Sequence, residues 1–233
     1  MDAMTAGKRL AGRQAADMVE SGMVLGLGTG STVYFTLERL GERIRAEGLR
    51  ITGVPTSQQT VALAENFGIP LTDLAAVSGL DLDIDGADQV HPEGHLIKGG
   101  GAALLREKIV AFHSHRFIVV VDDGKLADAA GFGRFPLPVE VIPWNWEATA
   151  RRLADLGCTP VLRQKDGAPV RTDNGNLILD MPFGCIADPP GLARALDGIP
   201  GVAEHGLFIG LTSLVLAGGA GGVRTLTPAD GRP

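Results

Sequence analysis

The chain has 233 residues, with 27 Asp+Glu against 21 Lys+Arg, a formal charge of −6 with histidines neutral. That balance, with no cluster of Lys or Arg, excludes a general nucleic-acid binder, which needs a basic surface to neutralise phosphates. A hydrophobic fraction of 45% and a charged fraction of 21% are those of an ordinary soluble domain and exclude a disordered chain. The 33 glycines are about twice the usual share of roughly 7% and ask for a structural reason. Cys158 and Cys185 are too far apart for a CxxC motif and too few for a disulfide framework, so both are expected as small buried hydrophobes in the reducing cytoplasm. The first twenty residues are charged and amphipathic, without the apolar centre of a signal peptide. Gly206–Val223 carries no charge but holds six glycines together with Thr212 and Ser213. It reads as a buried strand and a glycine turn, so no membrane partner is expected.

In chain order, the pattern predicts a helix over Ala6–Glu20, a strand over Met23–Leu27, a glycine loop and a helix over Val33–Arg45. A strand at Ile51–Val54, a helix at Gln58–Asn66 and a short strand near Pro70–Thr72 follow. Leu80–Asp85 reads as a strand, Ala102–His113 as a helix entered from three glycines, and Phe117–Val121 as a strand covered on both faces. This alternation is that of a Rossmann-like, mostly parallel sheet with helices on both faces. After Asp123 the texture changes to strand Val139–Ile142, helix Trp146–Leu156, strand Pro160–Arg163 and strand Leu177–Asp180, the last entered through Asn174-Gly175. A helix from Pro189-Pro190 to Gly198 and a strand near Val202–His205 complete the series. Strand, helix, strand, strand, helix, strand is the ferredoxin-like order. The expected class is therefore α/β, with 1–130 and 206–233 as a large catalytic unit and 131–205 as a smaller ferredoxin-like α+β unit. Leu207–Leu216 is expected as one strand returning to the large sheet.

Three segments carry chemistry. Gly26–Thr32 (GLGTGST) joins a strand to a helix, where free backbone N–H groups and the Ser31 and Thr32 hydroxyls suit an anion. It lacks the lysine of a nucleotide P-loop, and it is not GxGxxG, nor does the next strand end in an acidic residue. A single-phosphate pocket survives, with a ligand-free glycine turn as the alternative. Asp81–Asp88 crowds carboxylates at the C-terminal end of a parallel strand, where ligands bind in open α/β sheets. A divalent metal, sugar hydroxyls on Asp85 and Asp88, and a solvated acidic turn are the readings there, and His91 and His95 fall in an expected loop outside any site. Lys98–Ile109 (KGGGAALLREKI) runs three glycines into a helix, with Lys98 beside them and Glu107 about a turn and a half in. A buried Glu107 would be a general base, an exposed one a surface carboxylate. Lys125 follows the next strand at the same sheet edge. Together these groups fit proton transfer on a small phosphorylated polyol.

The segments GLGTGST, DGAD (Asp85–Asp88), KGGGAALLREKI, the Lys125 region, FPLPVEVIP (Phe135–Pro143) and TDNGN (Thr172–Asn176) resemble the A-type ribose-5-phosphate isomerase family, in its order and spacing across nearly the whole chain. The resemblance implies interconversion of D-ribose 5-phosphate and D-ribulose 5-phosphate through an enediolate, with neither metal nor organic cofactor. It implies catalytic roles for Glu107 as the base, Asp85 in ring opening, and Asp88 and Lys98 on hydroxyls and the oxyanion. It further implies substrate contacts from Thr29, Gly30, Ser31, Thr32, Asp85, Gly86, Ala87, Asp88, Lys98, Gly99, Gly100, Gly101 and Lys125, and phosphate contact from Lys8. A small-molecule sugar phosphate is the implied partner, in a homodimer or homotetramer. The run Trp144-Asn145-Trp146, the closing strand and the Gly-rich segment after it depart from the family pattern. The tryptophans are expected in the core of the smaller unit, with an oligomer contact as the alternative. A sugar-phosphate sensor, a sugar-phosphate deaminase and a coenzyme A transferase are the competing functions. The retained Glu107, with no helix-turn-helix segment ahead of the domain, speaks against the sensor, and no signature of the other two is present.

Overall fold

The computed structural model describes residues 2–228. Met1 and residues 229–233, part of the expected large unit, lie outside the described residues. The elements run α1 (Ala3–Asp17), β1 (Val24–Leu27), α2 (Val33–Glu47), β2 (Thr52–Pro55), α3 (Gln58–Phe67), β3 (Leu80–Asp85), β4 (Gln89–Val90), β5 (Leu96–Ile97), α4 (Leu104–Phe112), β6 (Ser114–Asp122) and β7 (Leu137–Val141). The chain continues through α5 (Trp146–Ala154), β8 (Val161–Leu162), β9 (Gln164–Lys165), β10 (Ala168–Pro169), β11 (Leu177–Met181), α6 (Pro189–Asp197), β12 (Val202–His205), β13 (Leu207–Phe208), β14 (Leu214–Gly219) and β15 (Gly222–Leu226).

The large sheet has the order β15-β14-β6-β3-β1-β2, parallel throughout except for the β14–β15 edge hairpin. The period-two alternation of strand side chains divides its core. Ile118 and Val120 join Leu25, Leu27, Leu82 and Ile84 under α1 and α2. Phe117, Val119 and Val121 face the opposite way, against Phe208, Val215 and Ala111 of α4. Helix α1 lies very close to the sheet. A Cβ built on Gly218 of β14 would stand 1.9 Å from the Gly7 carbonyl oxygen, and one on Gly7 would stand 2.4 Å from that of Gly218. Glycine on both sides is what permits that approach.

The second sheet, β12-β7-β11-β8, is antiparallel with α5 and α6 packed on it, and its order is that of the ferredoxin-like βαββαβ unit. Helix α6 begins at Pro189-Pro190 behind the Asp188 cap, and Leu177 follows the turn at Gly175, both as expected. Other segments differ from expectation. The short strand near Pro70–Thr72 is a single bridge from Leu71 to Gly53. The apolar run Leu207–Leu216 breaks in two, because the backbone turns at Gly210 (φ +63°). β13 pairs with β5 in a three-stranded sheet with β4, and only β14 enters the large sheet. His91 and His95 do lie in a loop, as expected, at the two ends of the turn that joins β4 to β5, where the His91 N–H donates to the His95 carbonyl at 2.8 Å and the rings stack at 5.6 Å. Neither cysteine is buried: Cys158 is half-buried and Cys185 exposed. Trp146 packs on the smaller core, whereas Trp144 is 81% exposed and lies outside it. No helix among the described residues is long and apolar enough to cross a membrane.

Candidate active site

The end of β1 and the residue after it read Leu-Gly-Leu-Gly over residues 25–28, and the alternation has a steric cause. The leucines fill the core under α1 and α2, so residues 26 and 28 face α4 and the neighbouring strand β3. A Cβ at Gly26 would lie 2.4 Å from Asp83 Oδ1, and one at Gly28 would lie 2.1 Å from Asp85 Oδ1. Glycine on this face therefore makes room for two carboxyl groups inside the sheet layer.

Asp85 is fully buried and accepts from the Thr29 N–H at 2.9 Å and the Gly86 N–H at 2.6 Å. Lys98 reaches it from the loop after β5. Its Nζ lies 3.0 Å from Asp85 Oδ2 and 3.2 Å from Glu107 Oε2, and it donates to the Gly86 carbonyl at 2.5 Å. The metal reading of the acidic cluster gives way here, because a lysine ammonium occupies the place among the carboxylates that a cation would take. Burial alone would lower the Lys98 pKa, but the charges of Asp85 and Glu107 overcome it and hold Lys98 above its ordinary value.

Glu107 is 4% exposed. Helix α4 begins at Leu104, two residues later than expected, because Ala102 adopts φ +58° and Ala103 is non-helical. Glu107 thus stands in the first turn, where the helix dipole favours a negative group. Burial and then the charge of Asp85 push its pKa up to about 8, against the pull of Lys98. Asp83, beneath them, is also fully buried, and its pKa is held well above the ordinary range by burial and by Asp85.

Above these groups an open cleft of about 660 Å³ is lined by Lys8, Thr29, Gly30, Ser31 and Thr32 on one side and by Gly86, Ala87, Asp88 and Lys98 on the other. Gly99, Gly100, Gly101, Glu107 and Lys125 complete the wall. The structure thus brings together the residues expected to contact substrate, with Asp85 one layer below the surface, whereas Asp81, His91 and His95 lie outside the cleft. Thr29 spends its polar atoms on the framework, since its hydroxyl lies 2.8 Å from those of Thr56 and Ser57 while Thr60 holds the Gly28 carbonyl at 2.7 Å. Ser31 is exposed and accepts from Lys8 Nζ at 3.1 Å, beside the N-terminus of α2, a combination of cation, hydroxyl and helix N–H groups whose chemistry suits an anion. On the far side, the Gly100 N–H donates to Asp88 Oδ2 at 2.7 Å.

Sequence reasoning missed Asp83, Gln59 and Asp122. The last two line the cleft from α3 and the end of β6. Asp122 was legible as the carboxylate closing a parallel strand at the ligand-binding edge. Nothing in the local sequence separates Gln59 from Gln58.

The family model of ribose 5-phosphate isomerase A (phosphoriboisomerase A) matches residues 52–222. Ribose-5-phosphate isomerase A of Gloeobacter violaceus is 52% identical over 223 residues, covering 95% of this chain and 96% of the relative. Ribose-5-phosphate isomerase A 1 of Oceanobacillus iheyensis is 50% identical over 211 residues, covering 91% and 93%. Among solved structures, a D-ribose-5-phosphate isomerase in complex with phospho-erythronic acid superposes with a TM-score of 0.93 at 40% identity, covering 97% of this chain and all of that one. Ribose 5-phosphate isomerase from Plasmodium falciparum gives 0.93 at 36% identity, with the same coverage. The sheet order, the buried carboxylates around Lys98 and these likenesses agree, and the chain belongs to the ribose-5-phosphate isomerase A family.

Proposed function

We propose that the protein interconverts D-ribose 5-phosphate and D-ribulose 5-phosphate through an enediolate, with no metal or organic cofactor. The observation that carries the reading is the buried Glu107 carboxyl, 3.2 Å from Lys98, in a cleft whose opposite corner is the Lys8–Ser31 anion site. A phosphate anchored at that corner directs the sugar carbons toward Glu107. Ionised Glu107 takes the proton from C2 of the opened aldose. The C2–H electron pair becomes the C1=C2 double bond, and the carbonyl pair moves onto O1, where Lys98 steadies the negative charge. The O2 hydroxyl proton passes to O1, the carbonyl re-forms at C2, and Glu107 returns its proton to C1. Asp88, on the cleft wall, is the carboxyl we assign to the proton relay of ring opening, while Asp85 fixes Lys98 from below. Lys125 contributes a second cation at the same edge.

The partner in this reading is a small sugar phosphate. We further read the chain as a cytoplasmic homodimer or homotetramer, for which exposed Phe112, Ile142 and Trp144 supply apolar surface. The test is conversion of ribose 5-phosphate to ribulose 5-phosphate by purified protein in the presence of EDTA. Undiminished turnover is expected, and either no turnover or a strict requirement for added metal would overturn the proposal.

A further inference from the structure

The glycine turn at residues 99–101 is held from outside the large sheet. Arg163, between β8 and β9, donates through one guanidinium nitrogen to the Gly99 carbonyl at 2.7 Å and to the Gly100 carbonyl at 3.1 Å. Its remaining nitrogens grip Asp180 of β11, Nε to Oδ2 at 2.9 Å and Nη2 to Oδ1. The fork geometry fixes the guanidinium plane, so the two carbonyls are oriented by a rigid group rather than by a flexible one.

A trans peptide points its C=O and N–H to opposite sides. With the Gly99 carbonyl turned to Arg163, the Gly100 N–H points the other way, where it donates to Asp88 Oδ2 at 2.7 Å. With the Gly100 carbonyl likewise held, the Gly101 N–H is directed away from Arg163, and Gly101 lines the cleft. We propose that Arg163 is a positioning residue for the reaction: from the smaller sheet it locks two peptide planes so that one N–H aligns Asp88 and the next faces the substrate. This rests on the isomerase reading for its kinetic consequence, but not for its geometry.

The test compares Arg163→Gln and Arg163→Lys with the parent protein. In Arg163→Gln, kcat should fall by about 10- to 100-fold, the scale of a misplaced reacting group, with KM changed less than about threefold. Arg163→Lys, which keeps a cation able to reach one carbonyl, should recover part of that loss. Amide hydrogen exchange gives a second readout independent of turnover. Protection within residues 99–101 should be lost in Arg163→Gln while that of β6 and β11 is kept. If the parent lacks isomerase activity, the functional reading fails and exchange alone decides the positioning role. A kcat within twofold of the parent, or unchanged exchange in the turn, overturns the proposal. If Arg163→Gln fails to fold, the lysine variant carries both measurements: reduced kcat with faster exchange in the turn supports the role, and parent-like values overturn it.

Discussion

Replacing Glu107 by glutamine separates what the carboxyl does for the reaction from what it costs the fold. The folded chain holds the Glu107 proton up to about pH 8, whereas the unfolded chain releases it near 4.5. Folding therefore binds a proton between those values. The stability so conferred is fully present below 4.5 and is lost as pH rises through about 8. At about 1.4 kcal/mol for each tenfold change in proton affinity, the whole gap is worth roughly 5 kcal/mol, of which roughly 3 kcal/mol disappears between pH 6 and pH 9. Glutamine has nearly the shape of the protonated carboxyl and cannot ionise, so the variant escapes this loss. Urea unfolding at fixed protein concentration should therefore show Glu107→Gln gaining about 3 kcal/mol on the parent from pH 6 to pH 9, while kcat drops ~10²-fold or more. Stability curves that run parallel across that range would refute the buried, proton-holding Glu107. Near-parental turnover would refute its role as base.

Because the base works only when ionised, kcat/KM should rise with pH and level off above an apparent value near 8, and Glu107→Gln should lack that limb; a profile flat from pH 6 to 9 contradicts it. Ser31→Ala should chiefly raise KM for phosphorylated sugars by removing the acceptor of Lys8 Nζ. Equal damage toward unphosphorylated ribose would mean that this corner holds no phosphate. Asp83, with its pKa held well above the ordinary range by burial, also takes up a proton on folding, so Asp83→Asn should raise the urea midpoint more at pH 9 than at pH 6. An equal change at both pH values would show that Asp83 is already ionised in the folded protein.

The parallel sheet was readable because its signals are local. Phe117–Val121 is apolar on both faces and lies inside β6, and Leu80–Asp85 coincides with β3. The phosphate corner was legible for the same reason, since a glycine loop between strand and helix carries its own donors. Where Glu107 points was not legible. Its direction depends on α4 starting at Leu104, which follows from the left-handed backbone of Ala102. Lys98 gave no sign of standing among carboxylates, because its ion-pair partners come from β3 and α4 and meet only when both pack against it. Asp83 read as one member of an acidic run, since its burial depends on the missing Cβ of Gly26 on another strand. Arg163 was invisible as a site residue because 64 positions separate it from Gly99.

The contact between Gly7 and Gly218 has a bearing on ligand affinity that its distance from the sugar carbons conceals. A single methyl on either residue would sit well inside the 3.0 Å that real Cβ atoms keep, so α1 would have to lift from the sheet. Lys8 is the next residue along and would travel with it, loosening its hold on Ser31. In a survey of point variants, this apolar seam would then register as part of the anion-recognition apparatus, although neither glycine offers a side chain to any ligand.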